Sequence, residues 1–74
     1  MTNERKVYRI TPQGTNWHLT GPGTGTVFPT KEAAIEEGTR LGNANQPAQL
    51  VIHLANGQIE EERTYGDDPR RSQG

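Results

Sequence analysis

Residues 28–35 read Phe-Pro-Thr-Lys-Glu-Ala-Ala-Ile, and this stretch marks the start of a helix in a chain of 74 residues. Pro29 biases the residue before it toward an extended conformation, and the hydroxyl of Thr30 is suited to cap the first helical amides. Glu32 lies in the first turn, where a negative charge interacts favourably with the helix dipole. We predict a helix over about residues 31–41. Its small and apolar residues are expected to form one stripe that packs closely on a sheet: Ala34, Ile35, Gly38, Leu41 and Gly42.

A hairpin is predicted before the helix. Polar and apolar residues alternate over residues 6–11 and 16–20, which is typical of half-buried strands. Residues 11–14, Thr-Pro-Gln-Gly, lie between them and suit a tight turn. The alternation places Trp17 on the apolar face, so we expect this side chain to be the largest contribution to the core. Residues 21–26 contain three glycines and a proline and are predicted to form a loop.

A second hairpin is predicted after the helix. Residues 49–54 form the most apolar strand, and Asn56-Gly57 follows, which favours a two-residue type I′ turn. This turn would set the pairs of the hairpin: Leu54 with Ile59, which would then join the core, His53 with Glu60, Ile52 with Glu61, and Val51 with Glu62. The run Glu-Glu-Glu-Arg at residues 60–63 suits an edge strand that must not recruit another chain.

The predicted fold is a single α+β domain with the order ββαββ. If the helix returns the chain over the sheet, the third strand runs parallel to the second and antiparallel to the first. The result is a four-stranded antiparallel sheet of order 2-1-3-4 with one helix packed on one face. Residues 1–65 would form this compact domain, and residues 66–74, which carry no apolar anchor, a flexible tail.

Composition limits the classes of function. Only 28% of the residues are hydrophobic, so either the core is thin or a partner completes it. The chain has no cysteine, which excludes disulfides, thiolate nucleophiles and cysteine-based zinc sites. It has no long apolar run and no charged-then-apolar start, so we expect a soluble, cytoplasmic protein without a transmembrane helix or signal peptide. A net charge of -1 gives no general attraction to nucleic-acid phosphates.

Four features in this order resemble a known family. They are Trp17 near a strand start, Phe-x-Thr-Lys-x-x-Ala at residues 28–34, the Asn56-Gly57 hairpin, and Thr-Tyr-Gly-x-Asp-Pro at residues 64–69. Over nearly its whole length the chain resembles the small bacterial family catalogued as domain of unknown function 2188. That family usually has glycine before the tryptophan, where this chain has Asn16. The resemblance implies a compact ββαββ domain with no assigned activity, so no functional residues carry over.

The glycine-rich segment before a helix suggests an anion site, in which helix amides with Thr30 and Lys31 would hold a phosphate. The spacing argues against it, because a phosphate-binding loop of the Walker type has its lysine directly after the last glycine. Here residues 27–30 intervene. A simple flexible connection is the favoured interpretation.

Metal binding and catalysis have weaker support. His18 and His53 are expected on the sheet face opposite the helix, with Glu60 beside His53, but no motif fixes a third ligand. We therefore predict no metal and no cofactor. Ser72 is the one serine and lies in the predicted tail, and the acidic residues of strand four lie on an exposed edge where nothing raises their pKa. These observations favour a protein that is not an enzyme.

Nucleic-acid binding is the alternative function that the residues support. The helix start is similar to that of small DNA-binding domains of the plant transcription-factor and integrase-arm type, built from three strands and a helix. The cations that would read nucleic acid lie on the first two strands: Arg5, Lys6, Arg9 and His18. Glu60 and Glu62 are expected to share that face and oppose a polyanion, so a solvated sheet of mixed charge is the favoured interpretation.

A non-catalytic binding or adaptor module is the function that the sequence favours most. Its expected partner is an unknown protein or a second copy of the chain. A one-sided sheet with a thin core gains stability when an edge strand pairs with another copy. The edge of the second strand is the expected place for such pairing. Nucleic-acid binding comes second and an enzyme third, and no membrane contact is expected.

Overall fold

The fold is described here for residues 5–66 in a computed structural model. The elements are β1 (Lys6–Gln13), β2 (Asn16–Gly21), β3 (Thr24–Phe28), α1 (Lys31–Ala44), β4 (Ala48–His53) and β5 (Ile59–Tyr65). One sheet holds all of these strands in the order β3-β2-β1-β4-β5, and α1 packs on one face. The predicted α+β class is confirmed, but the sheet has five strands and not four. The predicted tail, apart from Gly66, lies outside the described residues.

The additional strand comes from the segment predicted to be a loop. Pro22-Gly23 form a tight turn in which Gly23 has φ 75, the backbone that a type II turn requires at its third residue. After this turn β3 runs antiparallel to β2, from the pair Gly21–Thr24 to the pair Trp17–Phe28. Gly23 lies in the turn and Gly25 lies in an edge strand, and glycine is tolerated at both places. The high glycine content of this segment is therefore compatible with a strand.

The direction of β4 also differs from the prediction. Because β3 reverses the chain once more before the helix, β4 runs parallel to β1 and not antiparallel to it, in register from Lys6–Ala48 to Ile10–Ile52. The sheet is therefore mixed, and β3, α1 and β4 form a crossover between strands of the same direction. The relative order of the other strands is as predicted, with β3 added outside β2.

The core lies between α1 and one face of the sheet. Its buried residues are Tyr8, Ile10, Leu19, Ala34, Ala48, Leu50 and Ile52. The predicted alternation of β1 is confirmed, because Tyr8 and Ile10 are buried together. Trp17, predicted to be the main core residue, is only partly buried and packs against the outside of the cluster. Its partners Pro12 and Phe28 lie at the ends of β1 and β3, so Trp17 sits at the margin of the sheet.

The helix begins where the sequence predicts. Oγ1 of Thr30 accepts a hydrogen bond from the backbone N–H of Ala33 at 3.1 Å, which caps the first turn. The helix runs to Ala44, beyond the predicted end at Leu41. It ends at Asn45, whose backbone N–H and side-chain Nδ2 donate to the Leu41 carbonyl at 3.0 and 2.8 Å.

The small-residue stripe of α1 faces the sheet as predicted, with Ala34, Gly38 and Gly42 buried. A Cβ atom added to Gly38 would lie 2.8 Å from Cδ1 of Leu50. One added to Gly42 would lie 2.5 Å from Cδ2 of Tyr65. The absence of side chains at these two positions is what lets α1 approach β4 and β5 so closely.

The turn between β4 and β5 is longer than predicted. The N–H of Gly57 donates to the Leu54 carbonyl at 2.9 Å, and the N–H of Leu54 donates to the Gln58 carbonyl at 2.6 Å. Gly57 has φ 95, but Asn56 does not have a positive φ, which a type I′ turn requires. The loop is therefore residues 55–57, and the pairing of Leu54 with Ile59 is wrong.

A β-bulge then brings the two strands back into the predicted register. Beyond it two pairs agree with the prediction: Ile52 with Glu61 and Val51 with Glu62. Between the turn and the bulge His53 pairs with Ile59 and not with Glu60. Ile59 therefore lies on the sheet face opposite α1, where it is 51% exposed, and its predicted place in the core is wrong.

Gly57 gives a direct test of this turn. Gly57→Val is expected to lower the free energy of unfolding by about 1 to 2 kcal/mol, because a residue with a Cβ atom resists left-handed backbone. Gly57→Asn is expected to cost clearly less, since asparagine tolerates this conformation. No atom lies within 4 Å of a Cβ added at Gly57, so neighbours contribute nothing to the difference. Urea unfolding of the two variants measures it, and equal losses would contradict the turn.

Candidate functional site

The face of the sheet opposite α1, here called the open face, is the candidate site. Its rows of side chains follow from the strand register and the alternation along each strand. Reading from β3 to β5, the upper row contains Val27, His18, Thr11, His53 and Ile59. The next row contains Gly25, Thr20, Arg9, Val51 and Glu62. The open face therefore combines apolar, basic, acidic and hydroxyl side chains.

Apolar side chains lie at both edges and near the centre of the open face. Val51 is only 3% exposed and lies between Arg9 on β1 and Glu62 on β5. Val27 on β3 is 45% exposed, and Ile59 on β5 is 51% exposed. Val7, on the same side of β1 as Arg9, is also exposed. Burial of Val7, Val27 and Ile59 by a partner would be favourable through the hydrophobic effect.

Arg9 and His53 form a polar pair at the centre of the open face. Nη1 of Arg9 lies 3.4 Å from Nε2 of His53, and Nδ1 of His53 lies 2.8 Å from the carbonyl oxygen of Gly57. Because a carbonyl only accepts, Nδ1 carries the proton that it donates to Gly57. Nε2 of the neutral ring is then the acceptor for Arg9. The β4–β5 turn thus sets the orientation of His53, and His53 in turn holds Arg9.

The predicted nucleic-acid residues do not all share this face. Arg9 and His18 lie on it, on neighbouring strands. Lys6 is in phase with Tyr8 and Ile10 and belongs to the face that α1 covers, while Arg5 precedes β1 and is exposed.

The acidic residues expected on the open face also separate. Glu60 forms an ion pair with Lys31 on α1, so it was placed on this face wrongly. Glu62 is on the open face and accepts a hydrogen bond from Nε2 of Gln49 at 2.9 Å. Among the residues named above, the open face therefore carries one guanidinium group, that of Arg9, and one carboxylate, that of Glu62.

The residues predicted to bind an anion are engaged within the fold. The Thr30 hydroxyl caps α1. The Nζ atom of Lys31 pairs with Glu60 and lies 5.1 Å from the centre of the Trp17 ring, within range of a cation–π interaction. The segment before them is strand β3 and not a flexible loop. A bound phosphate would have to displace the Glu60 carboxylate from Lys31.

Ion pairs on the surface account for the pKa shifts. A hydrogen bond from Nε of Arg40 to Glu37 at 2.9 Å lowers the pKa of that carboxyl, and the same contact raises the pKa of Arg40. Arg63 likewise lowers the pKa of Glu61 through a hydrogen bond, and its own pKa is raised. Each shift stabilises the charged form. None of these four groups is therefore moved toward neutral pH, where a general acid or base would operate.

The open face also bears on the metal hypothesis. Within residues 5–66 there is no group of three or more histidine or carboxylate side chains that could hold a metal ion. Glu60, the expected neighbour of His53, is occupied by Lys31 on the other side of the sheet.

Two features of the site escaped the sequence interpretation. The contact between Arg9 and His53 depends on the parallel register of β1 with β4, and these strands were predicted to be antiparallel. The second feature is the outer side of β3, here called the β3 edge. It was not predicted, because residues 24–28 were not predicted to form a strand. The edge of β2, predicted to be free for self-association, is covered by β3. The available signal was the threonine, valine and phenylalanine content of residues 24–28, which is typical of strands.

Comparison with known protein families gives a match. A family model described as an uncharacterised protein conserved in bacteria (DUF2188) matches residues 8–65, more than half of the chain. No curated protein and no solved structure matches. No helix within the described range is long and apolar enough to cross a membrane.

Proposed function

Because the chain belongs to the bacterial family of uncharacterised proteins DUF2188, which brings no activity with it, we propose from its own surface that it is a non-catalytic binding module. The open face is the binding surface, and the partner is another protein. The observation that carries this proposal is the exposure of Val27 and Ile59 at the two edges of a face whose central Val51 is already buried. As a whole, non-obligate protein interfaces are about as apolar as the rest of a protein surface, and exposed apolar side chains with polar groups between them fit that composition.

The polar groups of the open face suit a protein ligand. Arg9 is held by His53, and Glu62 is held by Gln49. Side chains that are already oriented lose less conformational entropy on binding than free ones. They present a donor and an acceptor close to the buried Val51. A protein surface with a carboxylate opposite Arg9 and a hydrogen-bond donor opposite Glu62 would satisfy both.

A matched pair of variants tests the surface. Val7→Lys places a charge on the open face, and Ala44→Lys places the same charge at the exposed end of α1. Proteins captured from the host lysate by the parent chain are expected to be lost with Val7→Lys and kept with Ala44→Lys, as identified by mass spectrometry. Capture that is insensitive to Val7→Lys would place the binding surface elsewhere.

Nucleic-acid binding remains the second proposal, because Arg9, His18 and His53 share the open face. Glu62 on the same face and the net charge of -1 oppose it. We expect weak or no binding of labelled duplex DNA, single-stranded DNA or RNA in fluorescence anisotropy at about 150 mM salt. Val7→Lys separates the two functions, since an added cation on the open face strengthens binding to a polyanion and weakens binding to a protein that buries Val7.

Arg9 provides the direct test of the second proposal. If the domain binds nucleic acid, Arg9→Glu is expected to remove about one phosphate contact, to add a repulsion, and to reduce the dependence of affinity on salt. Arg40→Glu is the control, because Arg40 is exposed on α1, away from the sheet. Binding in the submicromolar range that depends on Arg9 and not on Arg40 would replace the protein-partner proposal.

A further inference from the structure

The two edges of the sheet differ in charge. β5 forms one edge and carries charged side chains at residues 60–63, Glu-Glu-Glu-Arg. β3 forms the other edge, and its sequence Thr-Gly-Thr-Val-Phe has no charged residue. Exposed edge strands offer unpaired backbone groups to other chains, and charged side chains are a common protection against such pairing. Of these two edges, only the one formed by β5 has this protection.

The two edges also differ in regularity. The pairing of β5 with β4 is interrupted by the bulge at Ile52/His53, which twists the strand locally. The pairing of β3 with β2 continues without a shift from Gly21–Thr24 to Trp17–Phe28. The β3 edge is therefore regular and uncharged, which are the properties of an edge that accepts a further strand.

The position of the β2–β3 turn indicates which backbone groups are free. The two-residue turn closes on the pair Gly21–Thr24, which exchanges backbone hydrogen bonds. In an antiparallel ladder every second pair does so, and the intervening residues direct their N–H and C=O groups to the other side. Thr26 and Phe28 therefore bond to β2. Gly25 and Val27 direct their backbone groups outward.

We propose that the β3 edge binds a second copy of this chain, antiparallel, about a two-fold axis at Thr26. Gly25 of one copy then lies opposite Val27 of the other, and the two equivalent pairs form about four backbone hydrogen bonds. An axis at Gly25 would use Gly23, which is part of the turn with φ 75. An axis at Val27 would use Pro29, which has no N–H. The axis at Thr26 is the one that pairs every outward-facing group of β3.

The side chains of β3 fit this arrangement. The two Thr26 side chains meet at the axis, a favourable cross-strand pair. On the open face Val27 packs beside Gly25 of the second copy, where space is available: the nearest atom to a Cβ added at Gly25 is Nε2 of His18 at 4.0 Å. The two-fold axis uses the same edge on both copies, so the assembly closes as a dimer and does not extend to a fibre.

This dimer does not depend on the proposed function, because it forms through the backbone of an edge. Val27 is the side chain that the two proposals share. Two variants make the matched test. Val27→Lys and Ile59→Lys each replace an exposed β-branched residue of the open face by lysine, on opposite edge strands. Circular dichroism establishes that both are folded. Sedimentation velocity over a concentration series then measures the dimer dissociation constant of each.

We expect the parent chain to dimerise, Val27→Lys to raise the dissociation constant at least about tenfold, and Ile59→Lys to leave it unchanged. Amide exchange gives a second readout: the N–H groups of Gly25 and Val27 are expected to gain protection as concentration rises. The N–H of Thr26 is protected at all concentrations. Three outcomes would overturn the proposal: a parent chain that stays monomeric to about 1 mM, a dimer weakened equally by both variants, or assemblies that grow without limit.

Discussion

Leu50→Ala is expected to lower the free energy of unfolding by about 2 to 5 kcal/mol, enough to unfold much of the population of so small a domain. Leu50 is fully buried, and its Cδ1 lies 2.8 Å from where a Cβ atom on Gly38 would be. Removal of this side chain therefore opens a cavity at the contact between α1 and β4. Urea unfolding monitored by far-ultraviolet circular dichroism measures the loss.

Leu54→Ala is the control for this experiment. The sequence pattern places Leu54 in phase with Leu50, but Leu54 follows the end of β4 and is 36% exposed. Its replacement is expected to cost less than about 1 kcal/mol, because little apolar area is lost from the interior. Losses of the same size at both positions would show that the core extends to the end of the hairpin, contrary to the structure.

Gly21→Ala is expected to cost about 2 to 3 kcal/mol, in the upper part of the range for overpacked cores. A Cβ atom at Gly21 would lie 2.3 Å from Cδ1 and 2.8 Å from Cε1 of Tyr8. Tyr8 is 2% exposed, so its ring lies inside the core. Either the ring or β2 must shift, and the thermal midpoint should fall accordingly.

Gly25→Ala provides the comparison, since Gly25 is also a strand glycine without a positive φ. Only Nε2 of His18, at 4.0 Å, lies near the added methyl group, so the expected change in unfolding free energy is within about 0.5 kcal/mol. The difference between the two variants therefore reports the contact with the Tyr8 ring. If Gly25→Ala were the more damaging, that contact would not limit the stability of the fold.

The sequence predicts the elements whose local signals agree with one another. Thr30 caps α1, and the burial of Tyr8 and Ile10 follows the period of two along β1. β3 was missed because glycine and proline are counted against a strand wherever they occur, whereas Pro22 and Gly23 form its turn. Because β3 was omitted, β4 was predicted to run antiparallel to β1, whereas the additional strand reverses the chain and makes the two parallel.

The candidate site was predictable only in part. The alternation along β1 and β2 predicts that Arg9 and His18 lie on the open face. Alternation is a local property of the sequence, so it can be recognised without knowledge of the fold. The exposure of Ile59 depends on a three-residue turn and a bulge together, and an Asn-Gly sequence does not distinguish this turn from the shorter one. The contact of Arg9 with His53 joins residues on two strands whose pairing no local pattern specifies.

The parallel pairing of β1 with β4 has a consequence for the order of folding. β1, β2 and β3 follow each other through short turns, so their pairs can form with little loss of chain entropy. Tyr8 and Ile10 of β1 can pair with Leu50 and Ile52 of β4 only when the connection through α1 is in place. We expect this non-local pairing to be the slow step in folding, because the chain entropy of closing the long connection is lost before the contacts form. During synthesis, a chain that has left the ribosome only as far as α1 would lack the core residues of β4, and one side of the central strand β1 would be unpaired.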